Sequence, residues 1–226
     1  MFDRLELLIG KEKFNILAKL NVLIVGIGGV GSYAFEALVR SNIGKITIVD
    51  HDVIDLSNLN RQLITNQNNI GHDKVKEAKS RAISINPNII IQDLKIFLDN
   101  SNINDLFNNN YFDYVIDACD TIATKLLLID KCQQLNIKII SCMGMAKKLD
   151  PSKIKICDIS KTSYDPIAKT IRSKMRNKKL LVVSSTEEII ESNSKVLGSN
   201  SFVPATAGLL CASYVINDII LMKEEI

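Results

Sequence analysis

One stretch, Asn21–Gln62 (NVLIVGIGGVGSYAFEALVRSNIGKITIVDHDVIDLSNLNRQ), limits the folds open to this chain more than any other. Val22–Val25 is a short apolar run of the kind that forms a strand buried on both faces of a parallel sheet. Gly26, Gly28, Gly29 and Gly31 follow it at once, and the pattern then predicts a helix from Val30 to Ser41. Glycines there let the backbone turn tightly and leave room for a phosphate against the free N–H groups and the positive end of that helix. Lys45–Val49 predicts a second strand. Asp50 closes it, 19 residues after Gly31, where a carboxylate can accept hydrogen bonds from both ribose hydroxyls. A GxGxxG spacing alone fits a dehydrogenase, or an incidental glycine turn, equally well. The complete order of strand, turn, helix, strand and acid points to nucleotide binding, and the residues beyond Asp50 favour ATP over a dinucleotide.

The alternation continues downstream. After a polar loop at His51–His72 come a helix at Asp73–Asn86 stopped by Pro87, and a strand at Asn88–Phe97. A short helix or turn at Asp105–Asn110, a strand at Phe112–Ala118, a helix at Thr121–Leu135 and a strand at Ile137–Cys142 complete the series. Five strands separated by helices predict an α/β fold, a Rossmann-like, doubly wound, mostly parallel sheet. Met1–Leu20 reads as two amphipathic helical pieces covering a sheet edge. Beyond Gly144 the pattern predicts a C-terminal strand and helix extension: KIKICDI, a helix at Asp165–Asn177, a strand at Leu180–Ser184 and a terminal helix, with Glu187–Ser199 a mobile connector. At 226 residues and 46% hydrophobic, with no linker-like segment, the expectation is one unit over 1–226, with a nucleotide-binding core at 1–144 and an extension at 145–226. The apolar run Phe202–Met222 contains Pro204, Asn217 and Asp218 and reads as a buried helix, not a membrane span. Five cysteines in no even, closely spaced framework, and an N-terminus without a basic-then-apolar signal pattern, fit a reducing, cytoplasmic setting.

Ligands of doubly wound sheets bind beyond the carboxyl ends of the strands, and three polar clusters fall there: Asp50–Asp52, Asn58–Gln62 and Asp117–Asp120. Arg61 and Lys74 offer two cations for a triphosphate. Asp120 offers a hard oxygen to a magnesium ion bridging phosphates. Singly, each has a plainer role: Arg61 as a surface ion pair, Lys74 as a solvated helix residue, Asp120 as the cap of the following helix. Their coincidence favours a site. Charge is uneven, with 11 basic and 3 acidic residues in 145–180, against 15 and 16 before it and 2 and 6 after it. Lys169, Arg172 and Arg176 recur at i, i+3 and i+7, continued by Lys178 and Lys179, with Lys147, Lys148, Lys153 and Lys155 upstream. Such a stripe suits phosphates or is merely solvated. Few aromatic residues interleave with it, so base recognition is not legible in it.

GIGGVGS, the run from VDHDVID to SNLNRQ, and VIDACD resemble the adenylation domain of the ubiquitin-activating-type, or ThiF-like, enzymes, including the molybdopterin- and thiamine-pathway adenylyltransferases. SCMGMAKKLDPSKIKICDISKTSYDPIAKTIRSKMR and SNSFVPATAGLLCASYVI are similar to one branch of that family, the tRNA threonylcarbamoyladenosine dehydratases. The resemblance implies ATP and Mg²⁺ as cofactors, Gly29 near the phosphates, Asp50 on the ribose, and Asn58, Arg61 and Lys74 on the phosphates; Gly26, Gly28, Gly31, Asp52 and Gln62 complete the expected cofactor-binding set. It further implies Asp120 as the metal carboxylate and Arg4 as an arginine reaching into the partner's site of a homodimer. The implied reaction adenylates the carboxylate of the threonylcarbamoyl group on adenosine 37 of tRNA, and a nitrogen of the same group then closes a ring and expels AMP. The basic stripe agrees with a tRNA partner. The alternative is an adenylyltransferase acting on the C-terminal carboxylate of a ubiquitin-like or sulfur-carrier protein. Relatives of that kind often carry paired CxxC zinc motifs and a thioester cysteine in the loop before the last helices. This chain has no CxxC pair and no cysteine in Ser184–Ser201, so structural zinc is not expected.

Overall fold

The computed structural model describes residues 1–175, 179–191, 194 and 196–221. Two short helices, α1 (Asp3–Ile9) and α2 (Lys11–Leu17), lead into β1 (Asn21–Val25), α3 (Gly31–Val39) and β2 (Lys45–Val49). Then follow α4 (Lys74–Ile85), β3 (Ile90–Leu94), α5 (Ile103–Asn108), β4 (Tyr114–Asp117), α6 (Ile122–Gln134) and β5 (Lys138–Cys142). The remainder is β6 (Ile154–Asp158), α7 (Pro166–Lys174), β7 (Leu181–Ser185) and α8 (Phe202–Ile220). All of the strands join one sheet in the order β3-β2-β1-β4-β5-β7-β6, parallel except for β6, which pairs antiparallel with β7. The doubly wound α/β sheet expected from the sequence is therefore present, and the C-terminal extension lengthens that same sheet.

Alternation along the strands explains why both faces are covered. Val22, Ile24, Ile46, Ile48 and Ile116 face α3, α4 and α8 through Phe35, Leu38, Ala78 and Val215. Leu23, Val25, Val49 and Val115 face the opposite layer through Leu106, Phe107, Leu128 and Cys132. A third cluster seats α7 on the extension, where Ile171 and Met175 meet Val182, Met143 and Ile129. The apolar terminal helix packs as the sequence suggested: Val203, Ala207, Cys211 and Val215 are buried, and Gly208 brings α8 so near Val30 that an added Cβ would lie 2.2 Å from its carbonyl oxygen. Helix α8 thereby braces α3, the helix whose amino end the glycine loop opens. Arg81 of α4 grips Glu36 of α3 with Nε at 2.7 Å and Nη2 at 2.9 Å, and Arg40 adds a third contact at 2.8 Å.

The order β3-β2-β1-β4-β5 reverses direction between β1 and β4, so the loops after these two strands diverge and leave a crevice at their carboxyl ends. The connector expected to be mobile is hydrogen-bonded to the 147–150 segment at Glu187, Ile190 and Gly198. Glu187 accepts the N–H groups of Leu149 and Asp150, Ile190 N–H donates to the Lys147 carbonyl, and Lys147 N–H donates to that of Gly198.

Candidate functional site

The glycine loop leaves β1 through Gly26, at φ +91°, where an added Cβ would come within 2.7 Å of the Ala118 carbonyl oxygen at the end of β4. Only glycine lets the two strand ends approach so closely. Gly31 has a different task from the one expected of it. It does not line the crevice; its Cα faces the Gly26 carbonyl, 1.8 Å from where a Cβ would stand, so it closes the loop onto itself. Asp50 fastens this loop to β2: one carboxylate oxygen accepts Ile27 N–H at 2.6 Å and the other accepts Asp52 N–H at 2.9 Å. Each oxygen keeps a second lone pair for a ligand hydroxyl.

Gly26, Gly28, Gly29, Asp50, Asp52, Asn58, Arg61, Gln62, Lys74 and Asp120 all line one cavity of about 680 Å³. The stretches that bring them together are far apart in sequence and meet only because β1, β2 and β4 are adjacent and parallel. Lys74, first residue of α4, is buried, with Nζ 2.8 Å from Asp52. Arg61 lays its stem over Gly29 and is steadied by Nη1 bonds to the Ser57 carbonyl and Asn60 Oδ1, at 2.8 and 2.9 Å. The buried amide of Asn58 holds its own turn by accepting Asp55 N–H at 3.1 Å. Gln62 Oε1 is buried and accepts no hydrogen bond among the described residues. Ile96 and Leu98 supply an apolar wall at the β3 end, a surface suited to a base.

Asp120 is exposed at the cavity edge. Thr121 caps α6 without a side-chain bond, and the Asp120 carboxylate receives only the Thr121 hydroxyl, at 3.4 Å, among the described residues. The helix-capping alternative is thus excluded, and a hard oxygen stands open toward the cavity, which fits a magnesium ion. Asp50, His51 and Asp52 also cluster at the end of β2, but Asp50 is engaged by backbone N–H groups and Asp52 by Lys74.

Sequence reasoning missed the buried pair beneath this site. Lys125 of α6 places Nζ 3.1 Å from both oxygens of Asp117 and 2.7 Å from the Cys142 carbonyl, and the Ser141 hydroxyl donates to the same carboxylate. Burial works to discharge Lys125, but Asp117 outweighs it and holds the lysine's pKa above its ordinary value. The pair locks the ends of β4 and β5 together directly below Cys119 and Asp120. The only signal in the sequence was one lysine on an otherwise apolar helix face, TKLLLI. Cys119 lines the cavity, yet burial and the neighbouring Asp117 push its thiol well above the usual range, so it is a poor nucleophile.

Other expected residues lie elsewhere. Arg4 is exposed on α1, outside the cavity lining. Lys169 and Arg172 are exposed on α7 and border a second cavity, while Arg176 and Lys178 fall outside the described residues. Lys147 and Lys148 belong to the first cavity and not to an outer basic face; Lys148 is buried, with Nζ 3.3 Å from the Ser185 carbonyl, and burial lowers its pKa against the pull of Asp165 and Glu187.

Such a crevice, floored by glycines at the switch point of a doubly wound sheet and walled by cations and one free carboxylate, defines a nucleotide-binding α/β protein built for phosphate chemistry. Sequence comparison makes the class specific. The chain belongs to the ThiF family, whose model matches residues 2–221. It is 41% identical to the tRNA threonylcarbamoyladenosine dehydratase of Bacillus subtilis (strain 168) over 240 positions, covering 97% of this chain and 94% of the relative. It is 40% identical to the Haemophilus influenzae protein of the same name over 160 positions, which is 71% of this chain and 61% of that one. The solved structure of the Escherichia coli tRNA N6-threonylcarbamoyladenosine dehydratase in complex with ATP superposes with a TM-score of 0.91 at 30% identity, covering 97% of this chain and 93% of the other.

Proposed function

We propose that this chain is an ATP-dependent enzyme that adenylates the carboxylate of the threonylcarbamoyl group on a tRNA adenosine and lets that group close into a ring with loss of AMP. The observation that carries the reading is the shape of the cavity. Past its glycine floor it continues into a half walled by Met143–Lys148 and Tyr164–Ile167, so a nucleotide and an acyl group can share one cavity. The dehydratase relatives in Bacillus and Haemophilus, and the ATP-bound Escherichia structure, supply the chemistry that fits it.

In the first step a carboxylate oxygen attacks the α-phosphorus of ATP and pyrophosphate leaves. In the second a nitrogen of the same modification attacks the acyl carbon, the bond to AMP breaks and a proton is lost, so the net change is loss of water. The demand on the protein is to hold two anions together while charge builds on the phosphate. Glycine-loop N–H groups at Gly28 and Gly29, with Asn58, Arg61 and Lys74, meet that demand; Asp52 holds Lys74 in place and Asp50 and Gln62 take the ribose. Asp120 would hold a magnesium ion, which would supply positive charge to offset that of the phosphates. No enzyme thiol is needed, in keeping with the suppressed Cys119.

The chain acts as one adenylation unit, 1–144 supplying the nucleotide core and 145–226 the acyl and RNA side, as a homodimer in the cytoplasm. Dimerisation is supported by α1, which buries no residue, exposes Leu7 and Leu8 at 80% each and carries Arg4. The reading predicts ATP conversion to AMP and pyrophosphate stimulated by threonylcarbamoylated tRNA, with mass spectrometry of the nucleosides recording loss of water. Stimulation by a Gly-Gly-ended carrier protein instead would replace it with the adenylyltransferase reading. Mixing inactive Arg4→Ala and Asp120→Ala chains should restore about a quarter of the activity, since half the dimers regain one intact site. No recovery would rule out a contribution of Arg4 across the interface.

A further inference from the structure

A second cavity, of about 410 Å³, adjoins the first and shares four wall residues with it: Tyr164, Asp165, Pro166 and Ile189. Its remaining wall is Thr162, Ser163, Lys169 and Arg172. A volume of this size lies within the range of about 300–1,000 Å³ in which proteins hold small ligands. The aromatic ring absent from the basic stripe in the sequence is here supplied by the fold. Tyr164 stands at the rim common to both cavities, 54% exposed, on a backbone with φ +53° that presents it just before Asp165 turns the chain into α7. Asp165 is not free to repel an anion's approach by swinging outward, because it caps α7 through Ala168 N–H and accepts Gly144 N–H, at 3.0 and 2.9 Å.

Both cations of this cavity are available. Lys169 and Arg172 form no ion pair with a carboxylate among the described residues. Arg172 differs from a merely solvated side chain, because its Nη1 is fastened to the Thr162 hydroxyl at 2.6 Å and to the carbonyls of Thr162 and Ile159. The guanidinium plane is thereby fixed, with Nε and Nη2 left to meet a phosphate in the fork geometry arginine favours. An exposed aromatic face beside a fixed guanidinium and a mobile ammonium is the combination that holds an unpaired nucleotide, base on ring and phosphate on cations.

We propose that this second cavity receives an unpaired nucleotide next to the modified adenosine, with Tyr164 stacked on its base and Lys169 and Arg172 on its phosphate. The assignment rests on the tRNA reading above and adds to it the subsite that selects a single-stranded loop over a duplex. It also explains how the adenosine reaches the inner cavity, because a neighbour held at the shared rim leaves the modified base directed inward.

The test uses the full-length protein and anticodon stem-loop RNA, intact or lacking the base on one or the other side of the modified adenosine, with affinity read by fluorescence anisotropy. Tyr164→Ala should weaken binding of intact RNA about tenfold, the size expected for loss of one stacked base, while Tyr164→Phe stays near wild type. Removing the base on one side should cost the wild type and Tyr164→Phe the same factor and cost Tyr164→Ala almost nothing. Lys169→Gln should lower the slope of log affinity against log salt by about one. Circular dichroism should be unchanged in all three variants, which reports that they are folded, and ATP affinity should be unchanged in Lys169→Gln, whose side chain lies outside the inner cavity. Unchanged RNA affinity in Tyr164→Ala, or a base-removal penalty that persists in full in that variant, would overturn the subsite. Failure of the wild type to release AMP and pyrophosphate with threonylcarbamoylated tRNA would instead overturn the underlying function.

Discussion

Replacing Lys125 by Met tests whether the buried pair with Asp117 frames the site. Methionine matches the lysine stem in length and apolarity, so the substitution removes the ammonium and little else. In the native chain the side chains of Lys125 and Asp117 are 1% and 0% exposed. With the lysine gone, Asp117 keeps the Ser141 hydroxyl and the Cys119 N–H, at 3.3 Å, and no cation. Removing one partner of a buried pair costs about 3–5 kcal/mol, because the other charge stays out of water uncompensated. With a urea m-value of about 3 kcal/mol per molar, that loss lowers the unfolding midpoint by roughly 1–2 M. The double variant Asp117→Asn with Lys125→Met removes both charges and should regain at least half of the lost stability, about 2 kcal/mol of coupling. ATP affinity should fall in the single variant, because the same pair fixes the strand ends from which Cys119 and Asp120 leave. Equilibrium urea unfolding followed by circular dichroism measures all three proteins. A midpoint within about 0.3 M of wild type for Lys125→Met, or a double variant no more stable than the single one, would refute the argument.

Three further predictions follow from the site and its supports. Gly31→Ala should abolish ATP binding in calorimetry, since a methyl 1.8 Å from the Gly26 carbonyl oxygen forces the glycine loop open; tight ATP binding by this variant would show that the loop tolerates the shift. Asp120→Ala should lose adenylation while keeping its unfolding midpoint, as the carboxylate caps no helix; near-normal release of pyrophosphate would remove it from the mechanism. For Glu36, burial works to raise the pKa, but Arg81 and Arg40 outweigh it and hold the carboxyl below its ordinary 4.5. A depressed carboxyl stabilises the fold above the unfolded-state value and loses that contribution as the pH falls through the folded-state value. Wild type should therefore lose more stability than Glu36→Gln on acidification below 4.5, and parallel stability curves for the two would contradict the assignment.

How much of this molecule could be read from its sequence depended on whether the signal was local. The β1–α3–β2 unit and Asp50 were legible because tight turns, buried parallel strands and a closing acid each leave their mark within a few residues, and the predicted Lys45–Val49 strand matches the observed one residue for residue. Gly31 was misjudged for the opposite reason. A glycine that admits a ligand and one that admits its own backbone look identical in sequence, and only the position of the Gly26 carbonyl separates them. Lys148 was assigned to a charged surface by the company it keeps in the chain, yet its side chain is buried, with Nζ on the Ser185 carbonyl 37 residues away. The same rule governs Asp117 and Lys125, which are eight residues apart on separate elements and become a pair only because a helix crosses back over its own strand. Asp117, Lys125 and Lys148 are thus charges buried by contacts that no local motif announces, and they lie directly beneath the site or form its inner wall. Their role is physical before it is chemical: a cavity meant to hold two phosphate-bearing molecules needs walls that do not yield, and ionic contacts sealed from water, strong where they are short and costly to break, keep the strand ends at fixed separation while the ligands come and go.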